Sequence, residues 1–271
     1  SAGYVLETLL PKLHATLEYE DAEVRREAAL ALLRLGDPRV LDICRAEAKQ
    51  GAAWPCIPLG LAGEQNDVAL LLKITARQPS PDGLTALGWL GDIRAVPPLL
   101  KHLAVPAFAE AAAQSLWLMT GADLCEEVFI PVGIDPNILF EDELEQYKKG
   151  EFVLPGNMRG STFTRISQSP AVWQAWWTEN EKRFDASVRY RSGAPCLPAT
   201  GLAILANPKT RRNVRDLAAD ELAIRYGVDI GVEADDAVAR QREILAGVEQ
   251  RLKAIAANFE AGAWYFGGGR T

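Results

Sequence analysis

Apolar residues recur at helical spacing through the first half of this chain, and glycines interrupt them at a nearly constant interval. The segments LLRLGDPRVLDIC from Leu32, LGLAGEQNDVALLL from Leu59 and LGWLGDIRAVPPLL from Leu87 share one order. An apolar helix end is followed by a glycine, usually an acidic residue, and a second apolar helix. The glycines are Gly36, Gly63 and Gly91, and LWLMTGADL supplies a fourth, Gly121. A period of this length predicts helical hairpins that bury their apolar faces by stacking on one another.

The first complete unit is legible in detail. In DAEVRREAALALLRLGD, the residues Val24, Ala28, Ala31, Leu32 and Leu35 fall on one helical face. Asp21 is a suitable N-cap and Glu23 complements the helix dipole. Gly36 can end the helix in a left-handed conformation, and Asp37-Pro38 opens the next one. Leu30 and Leu33 lie off the main stripe, so the helix needs neighbours on two sides. The second copy departs from the pattern. AGEQNDVA carries an inserted residue, and the prolines of GAAWPCIPLG predict a short or distorted first helix. Residues 1–18 read as the second helix of an earlier hairpin.

The pattern stops at Leu124. From Cys125 to Pro170 the chain is rich in proline and glycine, including Gly133, Pro136, Pro155 and Gly156, which predicts an irregular insertion with one short helix at Phe140 to Lys149. Ser169 and Pro170 then open a helix carrying Trp173, Trp176 and Trp177 at helical spacing. VRYRSGAPCLP reads as extended or turn-like. Helices follow at Thr200 to Ala206, at Thr210 to Tyr226 and at Asp236 to Glu260, and the tail AGAWYFGGGRT reads as frayed. The expected fold class is all-α: a solenoid of short helical hairpins over residues 1–124, an irregular insertion over 125–170, and a helical portion over 171–271 that continues or caps the stack.

Composition narrows the function classes. Apolar residues make up 48% and charged residues 24%, as in an ordinary globular protein. The net charge of −7 opposes a dedicated nucleic-acid binder, which needs a basic excess to neutralise phosphates. The four cysteines, Cys44, Cys56, Cys125 and Cys196, form no CxxC pair, and the histidines are His14 and His102 alone. That set suits neither a zinc site nor a disulfide framework, and predicts free thiols in a reducing compartment. No apolar run is long enough for a membrane span. The acidic run EDELEQ lacks the alternating ligands and glycine of a calcium loop. RGSTF is not a nucleophile elbow, and FGGGR lacks the strand–loop–helix context of a phosphate loop. No catalytic residue, metal ligand or cofactor site is expected, and small-molecule binding is disfavoured.

Two stretches concentrate the residue types of binding hot spots. AWWTENEKRFDASVRYRSGAP offers Trp177, Arg189 and Arg191, and KTRRNVRDLAADE offers Arg211, Arg212 and Arg215 beside Lys209. Each has a structural alternative. The tryptophans could bury against the last repeat while Arg189 or Arg191 pairs with a carboxylate or stacks on an aromatic. The basic helix could be a solvated face.

YEDAEVRREAALALLRLGDPRV and ALGWLGDIRAVPPLLKHL resemble the short HEAT-like repeat named after phycobilisome lyases, over roughly Glu20 to Leu124. The join of the WW helix, RF and RYRSGAP to such repeats resembles a bacterial HEAT-repeat family, some of whose members are encoded among type VI secretion components. The resemblance implies a cytoplasmic, non-enzymatic scaffold or adaptor whose partner is a secretion component, an effector or a toxin. An immunity protein blocking a basic toxin is one alternative. A nucleic-acid-binding enzyme of the HEAT-like DNA glycosylase kind is another, disfavoured by the acidity. HEAT-like di-iron hydroxylases use His-Glu dyads, which neither His14 nor His102 forms.

Overall fold

The computed structural model describes residues 2–131, 139–153, 160–208, 210–230 and 238–271. Gly133, Pro136, Pro155, Gly156, Lys209 and Asp236 lie outside them. The protein is mostly helical, with small strands, and divides into two units. One comprises Ser1–Asp123 with Gln168–Thr271, and the other is Leu124–Ser167.

The first unit begins with α1 (Ala2–Thr16) and α2 (Ala22–Arg34), followed by α3 (Arg39–Gln50), α4 (Cys56–Ala62), α5 (Asp67–Arg77), α6 (Pro81–Leu90), α7 (Val96–His102) and α8 (Pro106–Thr120). Helices α2, α4, α6 and α8 each run up to a repeat glycine and pack on one another in sequence, α4 on α6 and α6 on α8 most closely. Asp21 caps α2 through the backbone N–H groups of Glu23 and Val24, and Gly36 is left-handed at φ 78°. The buried face of α2 is rotated from the expected stripe. Ala28, Ala29, Leu30, Leu32 and Leu33 are buried, whereas Val24 and Leu35 are exposed. The cause is tertiary: α2 contacts α1, α4 and α12, so its core side includes the two leucines that lie off the simple stripe. Helix α4 is short, as its prolines predict, and every one of its residues is buried.

Close approach of these helices depends on small residues. A Cβ on Gly88 would fall 2.6 Å from Ser115 Cβ and 2.8 Å from Ser115 Cα, where α6 meets α8. Ser115 Oγ meanwhile donates to Leu84 O at 2.9 Å, satisfying a buried hydroxyl.

After the second unit come α10 (Pro170–Asn180), α11 (Pro198–Ala206), α12 (Arg212–Tyr226) and α13 (Val238–Ile255). Helix α12 packs against α2 and α4 as well as α11, so this part lies alongside the first helices of the early repeats. The tail is not frayed. Strands β5 (Tyr265–Phe266) and β6 (Gly269–Arg270) pair antiparallel, and Trp264 and Tyr265 are buried. Gly267 and Gly268, both at positive φ, make the two-residue turn. Their N–H groups donate to Ile224 O at 2.8 Å and Arg225 O at 2.9 Å, the end of α12. The glycine run is a tight hairpin turn and a helix cap together.

The second unit also departs from expectation. It contains an antiparallel pair, β1 (Cys125–Pro131) with β2 (Gly160–Ile166), in the register Cys125↔Ile166 to Pro131↔Gly160. Helix α9 (Glu141–Lys149) lies between them in sequence, beside Phe140, whose backbone N–H donates to Glu143. The strands escape sequence reading because no short turn joins them, so the hairpin signal is absent.

Gly88→Ala should lower the melting temperature. The enforced shift of α6 from α8 costs about 1–3 kcal/mol, against a helix-propensity gain of about 1 kcal/mol. Thermal and urea unfolding of this variant beside wild type measures the balance, and a more stable variant would contradict the packing described.

Candidate functional site

The Trp–Arg stretch is assembled by α10 and a hairpin that follows it. Ser169 caps α10 through Val172 N, with Pro170 at the first helical position. Trp173 is buried, while Trp176 and Trp177 are half-buried. A ladder of rings fixes them: Trp173 meets Trp176 edge-on at 6.3 Å, Trp177 meets Phe184 at 5.6 Å, and Phe184 meets Tyr190 at 4.9 Å. Trp177 forms one wall of a 530 Å³ groove with Pro97, Leu100 and Lys101 of α7 and Glu181 beyond α10. It is thus held rigidly with part of its ring in solvent.

Arg189 and Arg191 do not belong to that surface, which corrects the binding role expected of them. Both are 0% exposed. Strands β3 (Tyr190–Arg191) and β4 (Ala194–Pro195) form a tight hairpin around Ser192 and Gly193. Arg189 Nε donates to Leu90 O and its Nη2 to Trp89 O, both at 2.8 Å. Arg191 donates to Gly88 O at 2.8 Å and Trp89 O at 2.6 Å. These are the last carbonyls of α6, which have no partner inside the helix. Backbone groups do the same for neighbouring ends: Tyr190 N donates to Gly91 O, Ser192 N to Leu118 O and Gly193 N to Met119 O.

A third arginine enters from α12. Arg225, 1% exposed, donates to Gly63 O at 3.1 Å, just past α4, and to Tyr265 O at 3.2 Å in the tail. Glu221, one turn earlier, accepts from Arg191 at 2.7 Å and from Arg189, and lies 3.7 Å from Arg225 Nε. Arg191 also lies 4.5 Å from the Trp89 ring centroid. Burial acts to raise the Glu221 carboxyl, but the fields of Arg189, Arg191 and Arg225 outweigh it and hold it at about 2. Burial and the neighbouring Arg189 push Arg225 down, to about 9, which leaves it charged at neutral pH. The structural alternative for the arginines, pairing with a carboxylate and stacking on an aromatic, is the arrangement found.

Glu221 and Arg225 were readable in principle. Val214, Ala218, Glu221, Leu222 and Arg225 share one helical face. A Glu and an Arg at i, i+4 on the apolar side of a helix signal a buried pair. As the last residue of KTRRNVRDLAADE, Glu221 falls instead in the stretch whose basic start suggests a solvated face.

The three arginines expected at the start of α12 are placed differently. Arg211 is exposed and pairs with Glu110, and Arg212 is exposed and lies 3.9 Å from Asp216. Arg215 is half-buried. Arg34 on α2 reaches Asp220 at 2.6 Å, tying α12 to the repeats. Carboxylates therefore occupy much of this basic stretch. The acids after the repeat glycines are likewise structural. Buried Asp37 accepts from Arg39 and from His14 Nε2 at 2.8 Å, and buried Asp92 accepts from the Arg94 side chain and N–H. The Arg39 guanidinium holds Asp37 well below the usual carboxylate range. Burial lowers the pKa of His102, which stands edge-on to Phe108. Among the described residues no group of three His, Cys, Asp or Glu side chains is placed to hold a metal.

Residues 83–104, the third hairpin with Gly91 at its turn, match the family described as PBS lyase HEAT-like repeat. No curated protein and no solved structure matches the chain. No described helix is long and apolar enough to cross a membrane.

Glu221→Gln should destabilise the fold by about 3–5 kcal/mol, because three buried guanidiniums lose their counter-charge. The wild-type contribution follows from linkage. Folded Glu221 titrates near 2 and an ordinary glutamate near 4.5. Its stabilisation is therefore complete above pH 4.5 and is lost as the pH falls toward 2. Urea melts of both proteins across this range should show a slope for wild type that the variant lacks at this group.

The thiols give an independent check. Burial pushes Cys44 up to about 12 and Cys56 up to about 11, and raises Cys196, whereas Cys125 is exposed. Maleimide should label Cys125 in the native protein and the other three only after unfolding, as peptide mass spectrometry would read.

Proposed function

We propose that the chain is a non-enzymatic protein-binding scaffold or adaptor in which α2 to α8 act as a short solenoid of HEAT-like hairpins. The observation that carries this reading is Trp177. The ring ladder to Phe184 and Tyr190 fixes it at the edge of an open groove, half-buried. A rigid, partly exposed tryptophan beside a pocket has the chemistry of a binding anchor, because little side-chain entropy is lost when a partner covers it. HEAT-like repeats commonly mediate protein interactions, and the match over residues 83–104 lies in the hairpin that supplies α7 to this groove. The bacterial type VI secretion context, and a cytoplasmic location, rest on the resemblance of the Trp–Arg join to that family.

Tagged protein purified from its native cells, followed by mass spectrometry, tests the reading. Secretion-apparatus components or effectors in the eluate support the adaptor, while one toxin in equimolar amount favours an immunity protein. Trp177→Ala should weaken capture by roughly 30-fold, the effect of losing a hot spot of about 2 kcal/mol. Equal capture by wild type and variant removes Trp177 from the interface.

A further inference from the structure

Acidic residues outnumber cations in this chain, 36 to 29. Most of its arginines on the repeats are held by carboxylates. On α3, Asp42 pairs with Arg45 and Glu47 with Arg25. The single acid of α5, Asp67, pairs with Arg45, and α7 carries none. Four cations on these same three helices stand apart. Lys49 on α3, Lys73 and Arg77 on α5, and Lys101 on α7 are all exposed, and none has an ion pair among the described residues.

They are also grouped. Lys49, Lys73 and Arg77 rim a 220 Å³ pocket whose apolar parts are Ala48, Leu70 and Ile74 and which no carboxylate lines. Lys101 stands at the lip of the groove that holds Trp177, whose lining also includes Glu181, so the carboxylate-free rim is that of the first pocket. Helix α3 packs on α5, α5 on the turn that opens α7, and α7 on α10, so both depressions belong to one layer of helices. Helix dipoles account for part of this, since Lys49, Arg77 and Lys101 lie in last turns, where a cation is favoured. They do not account for Lys73, one turn further in, nor for a pocket free of carboxylates in a chain of net charge −7.

The geometry points to the layer α3–α5–α7–α10 as the docking surface for an acidic protein segment that also carries aromatic or branched apolar side chains. Its carboxylates would meet Lys49, Lys73, Arg77 and Lys101, and its apolar side chains would enter the pocket at Ile74 and the groove at Trp177. This rests on the protein-binding reading and names the partner's chemistry. Complementary charge favours encounter with such a segment and its register on the surface. A nucleic acid would present a continuous line of phosphates to a protein that repels them overall, and these four cations give little to offset that.

The probe is a fluorescein-labelled random copolymer of glutamate and tyrosine, compared by anisotropy with polyglutamate and with oligothymidylate of matched charge, at about 50 and about 200 mM salt. Wild type should bind the copolymer most tightly, and less so at high salt. Lys49→Glu/Lys73→Glu/Arg77→Glu should weaken this by about tenfold or more, as exposed charge pairs allow. Circular dichroism and thermal melts check its fold, and Lys73→Gln/Arg77→Gln, with a smaller loss in the same direction, serves if the triple variant unfolds. Unchanged affinity in a folded variant overturns the proposal, as does tighter binding of oligothymidylate than of copolymer. Native partners that still co-purify with a folded triple variant would leave the scaffold standing and remove this surface. Copolymer binding without any native partner would keep the surface and remove the scaffold.

Discussion

Three helices of the repeats, α4, α6 and α8, end close to one another, and the carbonyls at those ends cannot all be satisfied within the helices. Much of the first unit is arranged to meet that demand. Arg189 and Arg191 take the last carbonyls of α6, Arg225 takes Gly63 O past α4, and backbone N–H groups of Ser192 and Gly193 take those of α8. A Cβ on Gly121 would fall 2.5 Å from the Ser192 backbone, so the fourth repeat glycine is what lets the hairpin reach α8.

Burying three guanidiniums beside one carboxylate would be costly in an apolar interior. The ends of α4 and α6 offset part of that cost. Each presents a partial negative charge of about half an electron to the arginines that donate to its carbonyls. Glu221 contributes the full charge and stays ionised because the three fields outweigh its own desolvation. The C-terminal helices are thereby fastened to the repeats by hydrogen bonds that only a packed arrangement provides. The tail joins the same cluster, since Arg225 also donates to Tyr265 O and Trp264 lies under two of the arginines.

This clamp leaves the molecule with two kinds of surface. Around α12 the exposed arginines are largely partnered, with Arg211 on Glu110 and Arg34 on Asp220. On α3, α5 and α7 the acids are partnered and the lysines are not. Trp177 stands where that second layer meets α10. The segment that looked like one recognition motif thus separates. Its tryptophan faces a groove, and its two arginines hold the interior together.

The sequence by itself determined the local elements. Asp21 and Ser169 as caps, the glycine period from Gly36 to Gly121, and the short α4 all follow from backbone hydrogen bonding and helical spacing, which are short-range. It could not determine which side of α2 would be core, because that depends on α12 arriving from nearly 200 residues away in the chain. Nor could it pair β1 with β2, or turn the FGGGR run into a cap for α12. The fate of Arg189 and Arg191 was decided in the same way. A guanidinium is read as a surface group until something supplies both acceptors and a counter-charge, and only the tertiary structure brought helix ends and Glu221 to one place.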